Sequence, residues 1–149
     1  MKDQILNALT WAARLALGAI FIYASWHKLE LPADFALDIF HYQLLPGVFI
    51  NALALVLPWL ELLSGIALII APRLRHGAAI LILGMLVVFT TGIVIDLFRG
   101  IDVTCGCFSS GGKGQHIGLL KVLENLSMIA GACFLVWRER PGPGPTYSL

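Results

Sequence analysis

The chain has 149 residues, of which 58% are apolar and 13% charged, and its 10 basic and 9 acidic side chains leave a net charge of +1. Soluble domains carry about 25% charged and about 45–50% apolar residues, and a domain this small leaves much of its area facing solvent, so a water-soluble globule is excluded and a bilayer is the expected solvent. The balanced charge offers no phosphate-binding surface, so no nucleic-acid partner is expected, and the length excludes a multi-domain enzyme with its own nucleotide fold.

A hydrocarbon core about 30 Å thick needs about 20 apolar residues per helix. Four stretches meet that need: 5–26; 48–71, interrupted by Glu61; 77–97, uncharged until Asp96; and 117–137, which carries Lys121 and Glu124. Backbone groups in lipid must pair internally, so each is read as a helix. Residues 1–24 also have the outline of a signal peptide, but Ile22 is too large for the position three before a cut after Ala24. Between the first two spans, the run from Ala33 to Leu45 spaces its apolar residues as a helix does, which fits a segment lying along the membrane surface. Pro and Gly punctuate residues 141–149, so a poorly ordered tail is expected there. The expected fold is therefore all-α: an integral membrane four-helix bundle over residues 1–140, with an amphipathic segment between its first two helices.

The Lys/Arg bias sets orientation. Lys2, Arg73, Arg75, Arg138 and Arg140 share one side, against Lys28, Arg99 and Lys113 on the other with Lys121 at its margin. Both termini are expected in the cytoplasm, and the segments 28–47 and 98–116 outside it.

A charge at helix centre costs roughly 2.5–3.5 kcal/mol on the insertion scale, so the polar residues should face other helices or water. Helical steps place Arg14, Gly18, Phe21, Ser25 and Lys28 on one face of the first helix, and Asn51, Ala54, Pro58, Glu61 and Gly65 on one face of the second. On the third, Gly77, Gly84, Val88 and Thr91 form a stripe of small residues that would let backbones approach; Gly84 would serve a contact between two copies equally well. Arg14 and Glu61 are expected to form a structural ion pair, with a proton-handling or ligand-anchoring carboxylate as the sharper alternative. Lys121 and Glu124, three apart, can pair with each other. Pro58 is expected to kink its helix, and Cys133 to act as a small packing residue.

Cys105-Gly106-Cys107-Phe108 is the most informative motif. Two cysteines one residue apart can come within disulfide reach, about 5.5–6 Å between Cα atoms, and an exposed, strained pair exchanges readily. Disulfides persist outside the cytoplasm, where this segment is expected. Thiol exchange competes with unpaired thiols, a permanent clip, and a soft-metal site in which His116 is a third ligand. Lys113, His116 and Lys121 would favour a thiolate, and His116 or Glu124 would move protons. The glycine-rich run after the pair lacks the spacing of a phosphate loop. Trp26, His27, Tyr42, Trp59 and Phe98 form an aromatic belt or, with Glu61 and Phe108, line a flat pocket for a quinone head group.

Arg14-Leu15-x-Leu17-Gly18, Lys28-Leu29, Tyr42-x-Leu44-Leu45-Pro46, Leu57-Pro58-Trp59-Leu60-Glu61, Gly65, Phe98-Arg99-Gly100 and Cys105-x-Cys107-Phe108 together resemble the DoxX-like superfamily, and within it the MauE branch. Ser109 departs from the glycine expected after Phe108. The resemblance implies a four-helix protein of the bacterial inner membrane. For the MauE branch it implies maturation of a disulfide-rich subunit of methylamine dehydrogenase beside a thioredoxin-like partner, and for DoxX relatives thiosulfate oxidation coupled to quinone. The leading expectation is a membrane thiol–disulfide oxidoreductase in which Cys105 and Cys107 exchange with a periplasmic thiol or thioredoxin-like partner and pass electrons to quinone. The alternatives are a non-enzymatic factor for maturation or export of a periplasmic protein, and a carrier of a small solute or soft metal.

Overall fold

Proline sets several of the boundaries. The residue before a proline is driven out of the helical region, and both Leu31 before Pro32 (φ −130°, ψ 66°) and Ala71 before Pro72 (φ −100°, ψ 93°) close a helix that way. Pro46, itself extended, opens another. The computed structural model describes residues 1–41, 46–99 and 119–140. It has five helices there and no strand: α1 (Lys2–Glu30), α2 (Pro32–His41), α3 (Gly47–Ile70), α4 (Arg75–Arg99) and α5 (Leu119–Arg138).

Three of these are long and apolar enough to cross a membrane: α1, α3 and the Arg75–Ile95 part of α4. No more than about a third of each apolar window is buried, so most of their surface is apolar and faces outward, as lipid contact requires. The chain is a multi-pass membrane protein. α5 packs against α1 and α4. Among the described residues three helices thus qualify as spans, and the fourth span expected over 117–137 begins outside the described residues.

α1 packs on α3, α3 on α4, α4 on α5 and α5 back on α1. Leu17, Phe21, Leu68, Ala79, Ile82, Ala132 and Leu135 form the shared core. Arg138 of α5 donates to Asn7 Oδ1 of α1 at 2.9 Å, so the start of α1 and the end of α5 meet. α2 buries Phe35 and Ile39, one helical step apart, against Ile50 and Ala54 of α3, and leaves Leu37 and Phe40 exposed. This is the amphipathic segment expected from 33–45; residues 42–45 and the tail 141–149 lie outside the described residues.

The closest helix contact is between α1 and α3. A Cβ on Gly65 would stand 2.9 Å from the Gly18 carbonyl oxygen, and one on Gly18 would stand 3.0 Å from that of Gly65. With no side chain at either position the backbones touch, the usual device where lipid gives helices no hydrophobic drive to associate. α4 does not use this device. Gly77, Gly84, Val88 and Thr91, expected to face inward, are all exposed, and Ala78, Ala79, Ile82 and Leu86 are buried instead. An almost uniformly apolar helix carries no polar stripe to mark its inner face, so side-chain fit decides it.

Gly65→Ala forces the α1 and α3 backbones apart and is expected to destabilise the chain by about 1–3 kcal/mol. Gly84→Ala meets open space and is expected to stay within about 0.5 kcal/mol of the parent. Denaturant titration of both variants in mixed micelles checks the contrast.

Candidate functional site: a buried charge pair beside a cavity

A helical side chain leans toward the N-terminus of its helix. Lys28, near the end of α1, therefore points back into the bundle. Glu61 sits on the buried face of α3, one step after Pro58, where proline removes a backbone donor. The two meet: Lys28 Nζ lies 2.5 Å from Glu61 Oε1, and each residue is 3% exposed. Two rings flank the ammonium, Phe35 of α2 at 4.9 Å and Phe89 of α4 at 5.1 Å from Nζ to the ring centres. Desolvated cation–ring contacts are worth about 2 kcal/mol or more, so α1, α2, α3 and α4 converge on one ammonium group. The second carboxylate oxygen, Glu61 Oε2, is buried and accepts no hydrogen bond among the described residues.

Glu61 and Lys28 line a cavity of about 50 Å³ together with Phe21 and Ala24 of α1, Phe89 and Ile93 of α4, and Lys121, Asn125 and Met128 of α5. Lys121 donates to Glu124 at 2.7 Å, the three-residue pair expected from spacing.

The pairing of Glu61 with Arg14 is corrected. Gly18 of α1 touches Gly65 and Ile69 of α3, and Ile22 touches Gly65. In such an antiparallel pair Glu61 faces the later part of α1, where Lys28 is, and Arg14 faces the end of α3. Arg14 pairs instead with Glu139, just past α5. Arg14 and Arg75 both lie over the Trp11 ring, at 5.3 and 5.6 Å. Arg75 also donates to the Ile69 carbonyl at 3.3 Å, satisfying an end of α3. The Lys28–Glu61 partnership was missed, although both residues stand on the polar faces identified from spacing.

The aromatic residues expected around a quinone do not line this cavity. Trp26, Trp59 and Phe98 are exposed. Trp26 Nε1 donates to Glu30 Oε1 at 2.8 Å, a belt-like placement with the indole dipole satisfied at the helix end. His27 lies edge-on to Tyr23 at 4.9 Å. Cys133 is exposed rather than packed, because the buried Ala132 and Leu135 on either side of it define the inner face of α5. Cys105, Cys107, Phe108, Lys113 and His116 lie outside the described residues.

Asp38 of α2 lies outside the membrane-spanning segments. Burial holds its carboxyl above the usual aspartate value; His41 opposes this, Asp34 adds to it, and Lys28 opposes it more weakly.

A family model described as methylamine utilisation protein MauE matches residues 6–138. Among curated proteins, the chain is 34% identical over 132 residues to "Methylamine utilization protein MauE" of Paracoccus denitrificans, covering 87% of this chain and 70% of that one. It is 36% identical to the protein of that name from Paracoccus versutus, covering 89% and 72%, and 32% identical to that from Methylophilus methylotrophus, covering 78% and 61%. The chain thus spans between 61% and 72% of the length of these relatives. No solved structure matches it.

Glu61→Met strands Lys28 in the bundle and is expected to cost about 3–5 kcal/mol, whereas the double variant Lys28→Met/Glu61→Met removes both charges and is expected to recover most of that loss; unfolding titrations of the three proteins in micelles measure it. At Asp38 the folded chain holds the proton more tightly than the unfolded one. Its contribution to stability is therefore full below the ordinary aspartate value and is lost as pH rises through the raised one. Asp38→Asn is expected to remove that slope, read from unfolding midpoints across the acid range.

Proposed function

The chain belongs to the MauE family of methylamine utilisation proteins, and we propose that it acts there as a membrane-embedded accessory factor for the maturation or export of a disulfide-rich protein outside the cytoplasm. The observation that carries this is the reach of the family match, which takes in nearly all of α1, the whole of α2 to α5 and both halves of the Lys28–Glu61 pair. In this reading α5 is a fourth span, and the chain sits in a bacterial inner membrane with both termini inside. Support comes from the basic residues Lys2, Arg73, Arg75, Arg138 and Arg140, and from the Arg138–Asn7 contact that joins the two ends.

A second reading rests on Cys105-Gly106-Cys107, which falls between the end of α4 at Arg99 and the start of α5 at Leu119. Here the two sulfurs exchange with a thiol or thioredoxin-like partner, Lys113 and His116 favour the thiolate, His116 or Glu124 moves protons, and electrons pass to a membrane quinone, as the resemblance to the DoxX-like superfamily implies. The accessory role does not require this chemistry, and the cysteines separate the two readings.

In a strain of its own host lacking the chain, growth on methylamine is expected to fail while growth on another carbon source continues; loss of neither, or of both, overturns the role. Complementation with Cys105→Ser/Cys107→Ser is expected to restore growth on methylamine if the chain is a scaffold, and to fail, with the variant present in membranes, if the sulfurs exchange electrons.

A further inference from the structure

The cavity beside Glu61 has a chemistry of its own. Its walls are largely apolar, with Phe21, Ala24, Phe89 and Ile93 among them, and its polar groups converge from three helices: Lys28, Glu61, Lys121 and Asn125. Concave, mostly apolar sites with a few placed polar groups are how proteins hold small molecules. Glu61 supplies the group that asks for a ligand: it is 3% exposed, one oxygen is held by Lys28, and Oε2 accepts nothing among the described residues. A buried acceptor left unmet costs about 1–3 kcal/mol, and more for a charged group, so a donor brought to it is favoured.

Charge narrows the class of ligand. A cation entering the cavity meets the ammonium groups of Lys28 and Lys121. An anion meets the carboxylate of Glu61. Lys28 already balances Glu61, and Lys121 is paired with Glu124, so a neutral donor meets neither penalty. Size narrows it further. The inner cavity of about 50 Å³ admits only a small head. Next to it lies a second space of about 330 Å³, lined by Ile20, Lys121, Glu124, Ser127 and Met128, and the two share Ile20, Lys121 and Met128 as walls.

We propose that these adjoining spaces form a binding site for a neutral hydrogen-bond donor on an apolar body, with its hydroxyl or N–H directed at Glu61 Oε2 and its body lying past Met128 between α1 and α5. The site stands whether or not the accessory role holds, because binding to the purified chain is read separately from growth on methylamine.

Phenol and its methyl ether anisole differ by the donor. The chain has three methionines; Met128 lines both spaces, Met85 packs against the core, and Met1 is exposed at the terminus. With the methionine methyl groups carbon-13 labelled and the full chain in micelles, phenol is expected to shift the Met128 resonance saturably. Its apparent affinity is expected to exceed that of anisole about tenfold, the factor one buried hydrogen bond to a charged group supplies. Met85 and Met1 are expected to stay in place. No saturable shift at Met128, equal affinity for the two compounds, or parallel movement of all three methyl groups, which marks simple partition into the micelle, would overturn the proposal.

Discussion

An ionised side chain within the hydrocarbon must bring its partner with it, and the arrangement of this molecule follows from how it meets that demand. Lys28 and Glu61 lie at the meeting of four helices. Removing both charges from such a pair often leaves stability unchanged, whereas removing one is severe. The pair is thus better understood as fixing which surfaces meet than as a source of net stability. The bare backbones at Gly18 and Gly65 belong to the same arrangement. A larger residue at either position would push α1 and α3 apart, and the 2.5 Å contact between lysine and glutamate would open with them.

The two ends of the bundle are built differently. At one end Arg14, Arg75 and Arg138 tie α1, α3, α4 and α5 together, through Glu139, the Ile69 carbonyl and Asn7, with Trp11 lying against two guanidinium groups. Planar guanidinium groups stack on rings and hydrogen-bond at once, so these arginines close the bundle next to the core residues Leu17, Leu68, Ala79 and Leu135. Toward the other end, α2 packs its Phe35 and Ile39 on Ile50 and Ala54 of α3, and Lys28 meets Glu61.

The parts of the fold legible in the sequence were those marked by a change in chemistry. Apolar runs marked three spans, and residues in steps of three and four marked the buried faces of α1 and α3, apart from Asn51, which is exposed. The Lys121–Glu124 pair was legible because both members lie on one helix, where spacing alone brings them together. Arg14–Glu139 and Lys28–Glu61 were not, because the partner of a charge on another helix depends on the relative register of the two helices, and apolar residues that all look alike to lipid do not encode it. The same uniformity hid the inner face of α4 and the outward turn of Cys133.

The helix α2 shows how far the interior pair governs the surface. Ten residues are too few to hold a helix in isolation, and half of the apolar side chains of α2 are turned away from the bundle. What fixes it is Phe35, whose ring lies against the Lys28 ammonium, and Ile39, which packs on α3. Lys28 is in turn held by Glu61 of α3. The position of α2 is therefore set from inside the bundle, by contacts that run from a carboxylate in α3 through an ammonium in α1 to a ring.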